Sequence, residues 1–252
     1  MSISAAQIKA VRALSSKKGR DEAGCFIVEG EKLVSEALAS DFEVVELWRR
    51  EDIGESAMSR ISQLSTPSPV LAVVRQRTAL GRVIGGKQLR SPLPGAGLYL
   101  ALDSIRDPGN LGTIIRIADW FGLDGVFMSP DTVDVFSPKV VQSTMGAIFR
   151  VPFAYCPLPS LAERAHQLGG HLYGTFLDGQ DIYGTQLHTG GDAPSIIVIG
   201  NEAHGISGEI DALCDGRLRI PSFPEGVPTS ESLNAAVATA IVVAEFRRRE
   251  QE

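Results

Sequence analysis

From residue 98 to the end of the chain, short apolar runs alternate with stretches of helical periodicity, and this alternation restricts the fold more than any other feature. The runs are Leu98-Tyr-Leu-Ala-Leu102, Gly125-Val-Phe-Met128, Arg150-Val-Pro-Phe153, His171-Leu-Tyr-Gly-Thr175, Ile196-Ile-Val-Ile199 and Leu218-Arg-Ile220. Strands apolar at every position are buried on both faces, so the pattern predicts an α/β domain with a parallel sheet covered by helices on either side. A helix from about Leu111 turns Leu111, Ile114, Ile115 and Ala118 inward and leaves Arg116 off the buried stripe. The last helix carries Leu233, Ala236, Val237, Ala240, Ile241 and Ala244 at helical spacing and ends in Arg247-Arg-Arg249, where basic residues favour the negative end of the helix dipole.

The N-terminal part reads as a smaller α/β unit. A helix with Ile3, Ala6, Ala10, Ala13 and Leu14 is followed by a polar turn, Lys17-Lys-Gly-Arg20, and the strand Cys25-Phe-Ile-Val28. A second helix places Leu33, Val34, Ala37 and Leu38 on one face, and the strands Val44-Val-Glu-Leu-Trp48 and Val70-Leu-Ala-Val-Val74 follow. Residues 85–97 are rich in Gly, Pro and Ser and lack apolar periodicity, which marks a linker. The expected organisation is a small domain over residues 1–90, a linker at 91–97 and a larger domain over 98–252.

With 44% hydrophobic and 21% charged residues the composition is that of a soluble globular protein. No transmembrane run or secretory signal layout is visible, and three widely spaced cysteines fit a reducing compartment, so a cytoplasmic protein is expected. The net charge of −6 conceals an asymmetry: residues 1–97 hold 14 Lys+Arg against 11 Asp+Glu, and residues 98–252 hold 10 against 19. Residues 1–20, with Lys9, Arg12, Lys17, Lys18 and Arg20, contain no acidic residue, nor do residues 56–102, with Arg60, Arg75, Arg77, Arg82, Lys87 and Arg90. Such stretches suit the tracking of RNA phosphates, and equally suit ordinary solvated faces. Lys17, Lys18, Arg20, Arg75 and Arg77 are the RNA-binding candidates.

Two apparent nucleotide motifs fail. Gly81-Arg-Val-Ile-Gly-Gly-Lys87 has phosphate-loop spacing, but Gln88 stands where a Ser or Thr would hold magnesium. Gly95-Ala-Gly97 precedes its strand and lacks a third glycine, which excludes a dinucleotide fingerprint. His204 has no second histidine or cysteine at ligand spacing, so a loop hydrogen bond is expected of it and no metal.

Three patches carry the chemistry: Asp103-Ser-Ile-Arg-Asp-Pro-Gly-Asn-Leu-Gly-Thr-Ile-Ile-Arg116, Ile197-Val-Ile-Gly-Asn-Glu-Ala-His-Gly-Ile-Ser207, and the segment from Ile220-Pro221 to Ser232-Leu-Asn234. Asn110 reads as a helix cap or a site residue, Glu202 as a loop carboxylate or an active-site group, and Ser232 as a plain N-cap or a site hydroxyl. Capping does not account for Arg116, whose planar five-donor head suits phosphate or ribose. Gly200, at the end of a buried strand, permits close approach of a ligand to the backbone.

Together these patches resemble the three signature motifs of the SpoU family of RNA ribose 2′-O-methyltransferases, and Gly24-Cys-Phe-Ile-Val-Glu-Gly-Glu-Lys-Leu-Val34 is similar to the start of that family's substrate-binding domain, which has a ribosomal-protein-like fold. The resemblance implies a trefoil-knotted α/β catalytic domain, S-adenosylmethionine as cofactor, and a homodimer formed through the C-terminal domain with active sites near the subunit interface. It assigns Asn110, Arg116, Glu202, Ser232 and Asn234 to catalysis, and Thr175, Gly200, Ile220 and Leu233 to the cofactor, with Thr175 also readable as an ordinary strand residue. Since guanidinium does not normally deprotonate, Arg116 is expected to orient or stabilise the developing alkoxide while a phosphate or water takes the proton. By the same resemblance the separate N-terminal domain implies ribosomal RNA as substrate, since the family's tRNA-acting members commonly carry short extensions instead; the alternatives are transfer RNA, or a non-catalytic RNA-binding or assembly protein. The connection 222–231 is longer and richer in proline than the family's usual short loop.

Overall fold

The computed structural model describes residues 3–77, 95–224, 227 and 230–251. They fall into two units, Met1–Arg77 with Asp134–Arg150, and Thr78–Val133 with Val151–Glu252. The excursion Asp134–Arg150 thus groups with the N-terminal unit although it lies within 98–252. The phosphate-loop lookalike Gly81–Lys87, the linker residues 91–94 and the cations Arg82, Lys87 and Arg90 lie outside the described residues, as does part of the connection 222–231.

In the first unit Ser4 and Gln7 form a reciprocal capping box that starts α1 (Ala5–Ala13). The polar Lys17-Lys-Gly-Arg20 segment is helical, which corrects the turn expected there: it begins α2 (Lys17–Ala23), capped by the Ser16 side chain accepting from the Gly19 amide and closed by Gly24 at φ 60°. Caps at both ends compensate for a glycine in a short polar helix. The chain continues through β1 (Cys25–Glu29), α3 (Glu31–Ala39), β2 (Val44–Arg49), α4 (Arg50–Ile53), α5 (Glu55–Ile61) and β3 (Val70–Arg75), with β3 between β1 and β2 and antiparallel to both. Strand alternation sends Cys25, Ile27, Leu71 and Val73 to one face, where Ile8, Val11, Leu14, Met58 and Ile61 cover them. On Phe26 of the other face pack Phe136, with ring centroids 4.7 Å apart, and Phe149 at 6.5 Å, with Phe42 edge-on to both Phe26 and Phe149. Each large side chain buried this way contributes about 1.5–3 kcal/mol, so the excursion that supplies Phe136 and Phe149 is integral to this unit.

The second unit opens with β4 (Gly97–Leu102), α6 (Pro108–Trp120) and β5 (Gly125–Met128). After lending α7 (Pro138–Thr144) to the first unit, the chain resumes with β6 (Phe153–Tyr155), α8 (Leu158–Gln167), β7 (His171–Asp181), β8 (Pro194–Ile199), α9 (Gly208–Asp211), β9 (Gly216–Arg219) and α10 (Ala235–Arg249). The six strands are parallel in the order β6-β5-β4-β8-β7-β9, the sheet that the apolar runs predict. The strand expected at Arg150–Phe153 instead starts at Phe153, because Pro152 has no amide to give a ladder.

One face of this sheet, with Tyr99, Ala101, Phe127, Ile196 and Val198, packs on Leu158, Leu161, Ala162 and Ala165 of α8. On the other face α6 and α10 pack against each other and the strands. Helix α6 buries Leu111, Ile114, Ile115 and Ala118 as expected. Helix α10 instead buries Ala236, Thr239, Val242, Val243 and Phe246, leaving Val237 49% exposed and Leu233, just before the helix, 47% exposed. This helix is apolar on nearly every side, so periodicity alone does not choose its inner face. Its terminal arginines fasten other elements: Arg247 donates to the carbonyls of Phe121 and Gly122 beyond α6, and Arg249 to those of Ile182, Tyr183 and Thr185. Among the described residues no helix is long and apolar enough to cross a membrane.

Candidate active site

The carboxyl ends of parallel strands are where an α/β sheet presents loops to a ligand, and the three motif segments meet there. Asp107, not Asn110, caps α6: its carboxylate accepts the Asn110 amide at 2.8 Å, and Pro108 fills the first helical position. The Asn110 side chain is thereby free for other partners. Its Nδ2 donates to Glu202 Oε1 at 2.9 Å, and its Oδ1 accepts from Asn234 Nδ2 at 2.8 Å. Asn234, not Ser232, caps α10, with Oδ1 accepting the amides of Ala236 and Val237. Glu202 also accepts the backbone amides of Arg106 and Asp107, each at 3.4 Å. One residue from each motif therefore joins a single chain, Asn234 to Asn110 to Glu202, in which a carboxylate polarises two amides.

The loop that carries Glu202 turns tightly. Asn201 and Gly205 exchange backbone hydrogen bonds, and the Asn201 side chain accepts the amides of Ala203 and His204 while donating to the Ser104 carbonyl. A Cβ on Gly200 would lie 2.3 Å from the Gly205 carbonyl carbon, so it is the return of its own loop that requires glycine there. His204 enters the loop hydrogen bonding through its amide, and among the described residues no group of three or more His, Cys, Asp or Glu is placed to hold a metal.

An open cleft of about 550 Å³ adjoins Glu202, lined in part by Asp103, Ser104, Arg106 and Asp131. Ser104 takes a left-handed φ of 60°, a strained conformation for a residue with a side chain. Hydrogen bonds hold it there, since its amide donates to Ser129 Oγ and its hydroxyl to Asp131 Oδ2 at 2.6 Å. The hydroxyls of Ser104 and Ser129 hold the Asp131 carboxyl below the usual range. Asp103, 6% exposed, accepts the Ser207 amide and so ties the first motif to the second. Ser129 and Asp131 stand in none of the three patches. Asp131 follows the end of β5 beside β4, and that position at the carboxyl edge was the signal available in the sequence.

Of the remaining nominated residues, Thr175 follows the last β7 residue paired with β8, Gly174, and its hydroxyl donates to the Val198 carbonyl at 3.1 Å. The β7–β9 register then breaks between Thr175 and Gln180, next to half-buried Ile220. A purine cofactor needs apolar faces beside accessible backbone groups; Ile220 and Leu233 are apolar and not fully buried and the break interrupts the β7–β9 ladder, a chemistry compatible with S-adenosylmethionine. Ser232 and Arg116 are exposed and outside the hydrogen-bonded chain, and Arg116 has no partner among the described residues. Arg116 lies six positions after Asn110 along α6, which places it about 120° around the helix and about 9 Å along it.

In the first unit the nominated cations are largely engaged. Lys17 pairs with Asp21 at 2.9 Å and Lys18 with Glu22 at 3.8 Å, both in solvent. Arg75 pairs with Glu43, whose carboxyl that hydrogen bond holds below the usual range, and Arg77 pairs with Asp41 while lying over the Phe42 ring. Arg20 is 3% exposed and donates to Asp134 and to the carbonyls of Leu14 and Ser15, which leaves no face for a phosphate.

The model of the SpoU rRNA methylase family matches residues 97–244, and that of the MRM3-like substrate binding domain matches residues 5–57. A 23S rRNA guanosine 2′-O-methyltransferase from Bacillus subtilis is 31% identical over 256 residues, covering 96% of this chain and 96% of its own length. The AdoMet-bound rRNA methyltransferase of Sinorhizobium meliloti superposes with a TM-score of 0.84 at 31% identity, covering 99% of this chain and 97% of its own. The SpoU methyltransferase AviRb of Streptomyces viridochromogenes, in complex with AdoMet, superposes with a TM-score of 0.81 at 25% identity over 99% of both chains.

Proposed function

This chain belongs to the SpoU rRNA methylase family, and from that premise we propose that it transfers a methyl group from S-adenosylmethionine to a ribose 2′-hydroxyl of large-subunit ribosomal RNA. The observation that carries the reading is the hydrogen-bonded chain Glu202–Asn110–Asn234, assembled from three separate motifs at the carboxyl edge of the parallel sheet. The full-length relatives named as acting on 23S rRNA favour that substrate over transfer RNA.

The bound cofactor supplies a methyl group on a positively charged sulfur. Transfer forms a bond from ribose oxygen to methyl carbon while the carbon–sulfur electron pair goes to sulfur, and the hydroxyl proton must leave. Glu202 holds Asn110 by a charge-assisted hydrogen bond, and Asn110 and Asn234 orient the ribose. Thr175, Gly200, Ile220 and Leu233 form the cofactor wall, with Ser232 beside the transfer position. Arg116 stabilises the developing alkoxide, and a phosphate or water accepts the proton.

Arg116 shares its side of α6 with Trp120, four residues on and 85% exposed. So exposed a tryptophan beside Arg116 supports a homodimer in which Arg116 serves the partner's site. Three free cysteines, with Cys156 and Cys214 pushed up to about 12 by burial, support a reducing, cytoplasmic setting.

The test is methyl transfer from labelled S-adenosylmethionine to total unmodified RNA, with the RNA separated by size and digested to nucleosides. A 2′-O-methylated nucleoside from the large ribosomal RNA is expected; RNA binding without transfer would instead indicate an assembly protein. Co-expressed Arg116→Ala and Glu202→Ala chains, each strongly impaired alone, would regain about a quarter of wild-type activity if Arg116 acts across the dimer. No recovery would place Arg116 in its own chain's site.

A further inference from the structure

In the first unit the two acid-free stretches converge on one cleft. It has a volume of about 410 Å³ and is lined by Arg12 and Ser15 at the end of α1 and by Ser59, Arg60, Ser62 and Gln63 at the end of α5. These helices pack side by side over the β1–β3 face. The lining includes no acidic side chain. Both guanidinium groups are exposed and, among the described residues, neither has a carboxylate or carbonyl partner. This sets them apart from the other basic candidates of the unit, since Lys17, Lys18, Arg20, Arg75 and Arg77 all face carboxylates.

The rest of the lining is fixed in place. The Ser15 hydroxyl donates to the Arg12 carbonyl, and the buried Glu29 carboxylate accepts the Ser62 hydroxyl and the Gln63 amide. Glu29 thereby fixes Ser62 and Gln63 in the lining, while the Ser59 hydroxyl and the two guanidinium forks remain to receive a ligand. Two planar, permanently charged forks in a polar cleft match phosphate oxygens, and an extended polyanion gains more from them than a single free phosphate does.

We propose that the Arg12–Arg60 cleft is the phosphate anchor by which the N-terminal unit grips its RNA. This rests on the RNA methyltransferase reading and deepens it. Phosphate contacts set register without reading bases, so the anchor governs affinity and leaves the chemical step untouched.

The experiment compares the wild-type chain with Arg12→Ala/Arg60→Ala and Arg12→Lys/Arg60→Lys in methyl transfer to an unmodified 23S rRNA transcript across a salt series. The alanine pair is expected to raise the KM for RNA about tenfold at moderate salt, to keep kcat, and to reduce the slope of log affinity against log salt by about 2. The lysine pair should recover most of the slope. A wild-type-like KM and slope in the alanine pair, with wild-type transfer intact, would overturn the anchor alone; absence of transfer by the wild type would overturn the enzyme reading beneath it. Normal kinetics on naked RNA with a defect confined to ribosomal particles would assign the cleft to an acidic protein partner and also reject the proposal. Melting temperatures unchanged by either pair confirm that the fold is not the cause.

Discussion

Glu29 in the first unit and Glu202 in the second both sit near a strand end and gather hydrogen bonds from neighbouring segments, yet one is 2% exposed and the other faces solvent. Glu29 accepts from Ser62, Gln63 and Ser68, all within its own unit, and nothing is left over for a ligand. Glu202 organises equally many donors beside an open cleft, so that what it orders remains reachable. The same contrast separates Arg20, buried against Asp134, from Arg116, exposed and unpartnered among the described residues. A charged side chain with its partners sealed from water maintains the fold, whereas one with its partners at the surface is available for chemistry.

The sharpest way to break this comparison is Arg20→Met, which strands Asp134 in a poorly solvated position. The expected loss is about 3–5 kcal/mol, read by denaturant unfolding and by faster amide exchange across β1 and β3. A loss below about 1 kcal/mol would show that Asp134 finds water or another donor. Glu29→Ala comes next, at about 3 kcal/mol, because it leaves a hydroxyl and two amides without an acceptor. In the second unit the cost should move from stability to rate. Glu202→Ala is expected to lower methyl transfer about 10²-fold, or about 2.7 kcal/mol in barrier, with stability changed by less than about 0.5 kcal/mol. If the protein melted early instead, Glu202 would be another Glu29.

Asn234→Asp sharpens the contrast further. Aspartate keeps the cap on α10 but turns an oxygen toward Asn110 Oδ1 in place of a donor. Stability should stay within about 0.5 kcal/mol of wild type while transfer falls, whereas Asn234→Ala should also lose about 1 kcal/mol of capping. The smallest effect concerns Glu245, whose carboxyl is held down at about 2 chiefly by the Arg248 hydrogen bond, with Arg249 adding to it. A depressed carboxyl stabilises the fold above its unfolded value of about 4.3, and that contribution fades as pH falls from there through about 2. Glu245→Gln should therefore flatten the acid limb of the stability profile in that window, as a melting series from pH 5 to pH 2 would report.

Much of this was readable in the chain itself. Continuous apolar runs fixed a parallel sheet, because a strand buried on both faces has no polar position to spare, and α6 declared its inner face through Leu111, Ile114, Ile115 and Ala118. The residues that meet at the site, Asn110, Glu202 and Asn234, each stood in a recognisable motif.

What the tertiary structure alone decided is which partner each polar group finds. Sequence offered Asn110 and Ser232 as caps, but Asp107 and Asn234 take those positions, and Asn110 is released to join Glu202. It offered Arg20 to RNA, and Asp134, distant in the chain, claims it. It offered one apolar stripe of α10 to the core, and packing against α6 and the sheet selected another. Apolar periodicity survives in one dimension because burial follows from a helix or strand's own geometry. Hydrogen-bond pairing does not, because a donor's choice among several acceptors depends on which of them the fold brings within about 3 Å and which it leaves to water.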